Sequence, residues 1–414
     1  MTKNSIFSDD FATDKKYVVV ENKEIGEFVK IISSDVSDEA KRKGEQFAAE
    51  IEERFVSDFE KSESLLEEGK VSERDFMAHV STFAVVNDVV YMTYYANTTN
   101  ELEDPHNHTA RFVYCPVNDL ENKTFVDIQS AGDIFCGRRI NALYDTVLMQ
   151  KDEDTLYILW TAELVDGDTY NYYRLYCPFK ISAQELGEIS VNRFKVGEIV
   201  NDFSISGMKS ALAENDIGFK KMYSDIGIMQ KLSARIENGK KVYYTGAYSG
   251  DFTCIIKSRD LITWEYVSEP DFVNDSKWEN ATYVLGDKCY YFVRQHDEST
   301  KYGFLTVYDL INKTWETPVL VEDCQSRSDF IVYNGELYLF HAPIDREHIG
   351  IIHIDTENIK NSTVVLSAQM HTSCFYPFIQ YFKDGELAMS YTVERKHIRL
   401  AEFKLSKYTR NNGI

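Results

Sequence analysis

No stretch of 18 apolar residues occurs in the chain, so nothing in it reads as a membrane-crossing helix. The opening residues MTKNSIFSDDFATDKK lack the apolar centre of an export signal, and a soluble, cytoplasmic protein is expected. Positive charge is scarce: 45 Lys and Arg stand against 67 Asp and Glu, a formal net charge of -22. That balance excludes nucleic acid and an anionic membrane surface as expected partners, because both call for a cationic footprint. Cysteine is sparse, odd in number and scattered, seven residues without a Cys-x-x-Cys pair. The pattern disfavours a disulfide frame or a zinc site and suits buried free thiols. Only 7 Pro and 20 Gly are present, which excludes a low-complexity or collagen-like chain. No Gly-rich phosphate loop and no nucleophile elbow appear, so no cofactor is implied. A divalent ion at a cluster of Asp and His, and homo-oligomerisation, are left open.

Aromatic residues are abundant instead, with 27 Tyr, 25 Phe and 4 Trp making up 14% of the chain. They favour pleated, half-buried strands and offer stacking surfaces for sugars. Between residues 35 and 69 the sequence is charged and helical in period. Phe47, Ile51, Phe55 and Phe59 recur every four residues, which predicts one long amphipathic helix packed on the main body.

Beyond residue 76 the apolar period becomes two. Six segments share a grammar in which a turn pair precedes an aromatic strand, each following another apolar strand, and so each reads as a hairpin. The centres of their second strands, Tyr91, Tyr157, Tyr243, Tyr290, Tyr338 and Ala388, lie 66, 86, 47, 48 and 50 residues apart. Hairpins at that spacing predict an all-β repeat fold, a six-bladed β-propeller with an N-terminal amphipathic helix. The expected division is 1–75 for an early strand and the long helix, and 76–414 for the propeller. An early strand at 16–21 or 28–33 is expected to complete the sixth unit and close the ring, removing its exposed edges.

One polar turn is written twice, as Asp119-Leu120-Glu121-Asn122-Lys123-Thr124-Phe125 and as Asp309-Leu310-Ile311-Asn312-Lys313-Thr314-Trp315. Its place between the third and fourth strands of a unit lets Asp and Asn side chains bond local backbone while the aromatic residue fills the gap to the next unit. A looser copy runs Ser258-Arg259-Asp260-Leu261-Ile262-Thr263-Trp264. Here the chain resembles the sialidase-like superfamily of carbohydrate-active propellers, whose Asp box begins Ser-x-Asp and ends Thr-Trp at the same turn. The box's usual glycine is absent from all three copies. The resemblance covers about residues 76–410 and bears on fold; the box residues themselves are structural.

Propellers bind ligands at one end of their axis, on the starts of inner strands and the loops between second and third strands. Those places hold His79, His106, His108, Arg139, Asp145, Trp160, Lys231, Tyr248, Glu279, Arg294, His296, Arg327, His341, Arg346, Tyr376 and Arg395. Eight of the nine histidines fall there, His353 being the exception. Arginine forks recognise carboxylates, aromatic faces stack on sugars, and His and Tyr move protons, so the expected partner is an acidic oligosaccharide.

Three readings follow, of which β-elimination is the leading expectation and the other two are its alternatives. Some propeller polysaccharide lyases are similar in residue types, which implies β-elimination on a uronate with His106 or His108, Tyr248 or Tyr376, and Arg294 or Arg327. A glycoside hydrolase needs paired carboxyls, for which Asp145, Asp225, Glu279 and Asp329 stand ready. Resemblance to the sialidases proper implies in addition an Arg-Ile-Pro near the first blade, an arginine triad and a Tyr-Glu nucleophile pair. The Arg-Ile-Pro is missing, GRRINAL at 137–143 being the nearest approach, and Arg294, Arg327 and Arg395 are the triad candidates. The third reading is a sugar-binding propeller without catalysis.

Overall fold

A computed structural model describes residues 29–32, 36–57, 59–71, 73–270, 279–294, 302–322, 324, 326–343 and 346–409. The architecture is all-β and propeller-like. Six sheets follow one another in chain order, with inner strands Met77–Val86, Arg138–Gln150, Ser233–Glu237, Asn280–Leu285, Asp329–Tyr333 and Cys374–Tyr381. In the third, short strands Gly227–Ile228 and Ser233–Glu237 lie inside Lys240–Ser249. Each sheet packs on its successor, and the sixth packs on the first.

The six expected hairpins are all present. Their turns explain why the sequence shows them so clearly. Asn87, Asp88, Asn238, Asn334 and Asp384 sit at φ between 51° and 59°, and Gly239, Gly286, Gly335 and Gly385 follow at positive φ. Asn, Asp and Gly tolerate this left-handed backbone, which matches the twist of the flanking strands. The repeated polar turn also lies where expected. Asp309 Oδ1 accepts from the Ile311 and Asn312 amides, and Asp260 Oδ1 from those of Ile262 and Thr263, at 2.7–2.9 Å. Leu261 and Lys313 supply the left-handed residue that glycine would adopt without strain. Trp264 is fully buried between the second and third sheets.

The 86-residue gap between Tyr157 and Tyr243 holds elements the periodicity did not reveal. Strands Arg193–Val196 and Ile199–Asp202 extend the third sheet, and a helix, Ile205–Glu214, caps that extension.

The single long helix is corrected. Helix α1, Asp38–Glu50, starts on an Ser37 cap and stops at Ile51, which is extended (φ -69°, ψ 141°). Glu52–Ser57 is a strand, and helix α2 spans Phe59–Glu67. A four-residue apolar spacing therefore runs across helix, strand and helix. The strand wins over residues 52–57 because the sixth sheet has an open edge, His397–Phe403, whose backbone groups it pairs antiparallel. It also completes that sheet in place of 28–33; Val29–Ile32 instead adds a parallel outer strand to the fourth sheet, and 16–21 lies outside the described residues. Glu53 anchors the closing strand by accepting from Tyr391, from His371 Nε2 at 2.9 Å and from Arg399 Nη1 at 3.0 Å. Strands Val29–Ile32 and Glu52–Ser57 thus both join sheets of the ring.

Helix α1 lies on strand Thr363–Gln369 so closely that a Cβ at Gly44 would stand 1.9 Å from Ser367 O. Phe47, fully buried, meets Phe403 and Tyr408 edge-on at 5.1 and 5.3 Å. Phe47→Ala should cost about 3–5 kcal/mol, the transfer and cavity terms together, read as a lowered midpoint in urea with an unchanged slope. None of the seven cysteines is joined in a disulfide; six are buried and Cys136 is exposed. Among the described residues no helix is long and apolar enough to cross a membrane.

Candidate active site

All six sheets contribute to one cavity of about 420 Å³ at the end of the axis. Three inner strands bulge where they reach it. Val80, Asp145 and Tyr376 stand at φ 55°, 55° and 62°, each within a break in strand register. Arg346 and Arg395, on loops between second and third strands, are also left-handed, at 66° and 55°. For a β-branched valine and bulky side chains this conformation is strained, and its concentration around one cavity is the mark of residues held for function.

The centre of the site is Tyr376. Its amide donates to Ser326 Oγ at 2.9 Å, and its ring lies 4.5 Å from that of His79. Its hydroxyl hydrogen-bonds Glu279 and accepts from Arg294 Nη1 at 3.4 Å. Glu279 Oε2 takes a second proton donor from the same Arg294 nitrogen at 2.5 Å, and Oε1 takes two from Arg327 at 3.0 and 3.2 Å. Burial works to raise the Glu279 pKa, but the charges of Arg327 and Arg294 outweigh it and hold the carboxyl down at about 2. Burial and the nearby Glu279 charge push the Tyr376 phenol well up, against the pull of the arginines.

Arg346 and Arg395 flank the Phe375 ring at 5.3 and 5.5 Å. Arg346 is held below the usual guanidinium range by burial and by the Arg294 charge, so a carboxylate arriving there would relieve repulsion between cations. Arg395 Nη1 meets Glu103 Oε2 at 2.9 Å, and Glu103 also accepts from the Tyr95 hydroxyl at 2.7 Å.

Across the cavity the lining is acidic and phenolic: Tyr144, Asp145, Tyr172, Asp225 and Tyr248. Asp145 is fully engaged, bonding Arg327, Arg174 at 3.2 Å and the Tyr248 hydroxyl at 3.3 Å. Asp225 differs, since its Oδ1 has no hydrogen-bond partner. Burial, then the charges of Asp145 and Glu279, raise its pKa to about 7. Two carboxyls in one cavity are therefore driven far apart, one fixed as an anion and one poised to carry a proton near neutral pH.

Of the residues expected at the site, the structure brings together His108, Asp145, Tyr248, Glu279, Arg294, Arg327, Arg346, Tyr376 and Arg395. Others are corrected. His106 is exposed, its Nδ1 2.7 Å from Asn141 O, and lies off the cavity. His79 is buried behind Tyr376, with Nδ1 2.9 Å from Thr392 Oγ1. Arg139 is exposed on its strand, and Trp160 is buried within the second sheet's core, donating to Gln129 at 2.9 Å. Lys231 and Asp329 form a buried pair at 3.0 Å away from the lining, and His341 faces Cys324 at 3.0 Å inside the protein. His296 lies outside the described residues. Histidine thus contributes little among the described residues: only His108 lines the cavity, and burial lowers it to about 4. Missing from the expected set were Tyr95, Glu103 and Tyr172, of which Glu103 stands between the first sheet's second and third strands, just ahead of His106 and His108. Among the described residues no cluster of His, Cys, Asp and Glu has the arrangement of a metal site.

The propeller-like ring, with a charged cavity at one axial mouth, is similar in fold to solved sialidase structures. The chain is similar to the intramolecular trans-sialidase from Ruminococcus gnavus, in complex with oseltamivir carboxylate, at TM-score 0.55 and 10% identity over 81% of this chain and 96% of that one. It is similar to the Trypanosoma rangeli sialidase in complex with sialic acid at TM-score 0.52 and 14% identity over 80% of this chain. It spans about half, 54%, of that longer chain. A NanB structure with Optactamide matches at TM-score 0.55 and 6% identity, over 83% of this chain and 71% of that one. At such identities the likeness is one of fold. No protein-family model matches the sequence, and no curated protein matches it.

Proposed function

We propose that the protein is a carbohydrate-active enzyme that cleaves the glycosidic bond of an acidic sugar as a sialidase-like glycoside hydrolase, on a six-bladed propeller. The observation that carries this reading is the Tyr376 hydroxyl bonded to an ionised Glu279 within a ring of arginines. It is the Tyr-Glu pair that the sequence resemblance implied. The likeness in fold to structures solved with sialic acid and oseltamivir carboxylate supports it.

In this reading Arg294, Arg346 and Arg395 hold the sugar carboxylate. A carboxylate nucleophile would be repelled by that group, whereas the neutral phenol of Tyr376 approaches the anomeric carbon without the penalty. As the Tyr376 oxygen bonds that carbon, the phenolic proton passes to Glu279, and the departing glycosidic oxygen takes the proton of Asp225. Water then attacks the glycosyl-tyrosine, giving its proton to Asp225 while Glu279 returns one to Tyr376. Substrate binding aids the first step, because its carboxylate draws on the Arg294 charge that keeps Glu279 weakly basic.

β-Elimination on a uronate is the alternative, favoured by the presence of Tyr248 and His108 in the same cavity. One assay separates the two. Nitrophenyl glycosides of nonulosonic and uronic acids should release nitrophenol with no rise in the ultraviolet absorbance of an unsaturated uronate. A rise in that absorbance with uronate oligosaccharides would establish the lyase, and binding without turnover of either kind would establish a sugar-binding propeller.

A further inference from the structure

Arg327 is the most buried of the four cavity arginines, 2% exposed, and it pairs with two carboxylates. Its Nε and Nη2 donate to Glu279 Oε1, and Nη2 also donates to Asp145 Oδ1. The guanidinium carbon stands 5.1 Å from the centre of the Tyr376 ring. From the entry to the fifth sheet, one cation thereby touches groups of the second, fourth and sixth. Asp145 is fastened in turn by Arg174, whose Nη1 also reaches Thr161 Oγ1 at 2.9 Å. A guanidinium with Nε and Nη2 both committed has little freedom to swing, and it fixes the carboxylate it holds.

We propose that Arg327 is a positioning residue for the Tyr376 and Glu279 pair, distinct from the arginines that bind the substrate carboxylate. It locks Glu279 beside the phenol and sets a full positive charge against the ring, where negative charge develops as the phenol gives up its proton. The inference rests on Tyr376 being the nucleophile. The rival role is direct substrate contact, since Arg327 Nη1 has no hydrogen-bond partner.

The test compares Arg327→Met, Arg327→Lys and Arg346→Met on a nitrophenyl glycoside of an acidic sugar across the pH range. Arg327→Met should lower kcat by about 100-fold or more with KM within about threefold, while Arg346→Met raises KM. Loss of the cation also raises the pKa of Glu279, so kcat/KM should fall off on the acid side at a higher pH than in the wild type. Arg327→Lys, keeping charge without the fork, should recover part of kcat and return the acid limb toward its wild-type position. A rise in KM matching that of Arg346→Met overturns the proposal in favour of substrate binding. An even loss at all pH values, unrescued by lysine, overturns it in favour of plain structural support. Should the methionine variant fail to fold by near-ultraviolet circular dichroism, the lysine variant carries the test, and a wild-type kcat for it counts against the geometric role. If Tyr376→Phe is inactive while Arg327→Met is normal, only this inference falls; if Tyr376→Phe retains turnover, the nucleophile reading falls with it.

Discussion

Tyr376→Phe should lose at least about a thousandfold in turnover while binding a carboxylated sugar within a few-fold of the wild type, because the change removes the attacking oxygen and little else. The ring is kept, and with it the contact to His79 and the charge of Arg327 over its face. The strained backbone at φ 62° is kept too, so the site should hold its shape. An activated fluoro-substituted glycoside, slow to hydrolyse once transferred, should leave a covalent adduct on the wild-type protein that peptide mass spectrometry maps to Tyr376. The phenylalanine variant should give none. Full turnover in that variant would mean that water attacks directly and that the phenol serves only to orient the sugar.

Asp225→Asn carries the second large effect, with a signature in pH. The proposed acid must be protonated, and its pKa of about 7 means that kcat/KM declines as pH rises through neutrality. Asparagine should abolish that alkaline limb and cost about 10² to 10⁴ in rate with poor leaving groups, but far less with nitrophenol, which departs without a proton. Stability should move the opposite way. Folding raises this pKa above its ordinary value, so the group favours the folded state at low pH and loses that contribution as pH climbs toward 7. The variant should therefore melt above the wild type at pH 8 and lose that advantage at pH 5. An alkaline limb that survives the substitution would assign the proton to another group, and Glu103→Gln is the variant to try next.

The parts of the fold set by local chemistry were legible in the sequence. Asn-Gly and Asp-Gly turns announce hairpins because few other residues accept positive φ, and the polar turn at Asp309 repeats because its carboxylate caps its own backbone. The helix was misread because a spacing of four between Phe47, Ile51, Phe55 and Phe59 says nothing about the distant strand edge that claims residues 52–57. The site was half legible. Arg294, Arg327 and Glu279 lie at strand ends, where the sequence marks them out. Alternation failed deeper in the strands, where bulges at Asp145 and Tyr376 change which face a side chain takes. Trp160 shows the other side of that failure, turned into the core by the regular pleat. Histidines misled for a different reason: His106 and His108 spend a ring nitrogen on backbone carbonyls of Asn141 and Leu143 and serve packing between sheets.

Strand Glu52–Ser57 and its partner His397–Phe403 meet across more than 340 residues of sequence. Docking of Glu52–Ser57 must wait for the sixth sheet to form, and the entropy of joining such distant segments makes this a slow step. Until then the sixth sheet carries an unsatisfied border, which is the period in which it is most exposed to misassembly with its neighbours.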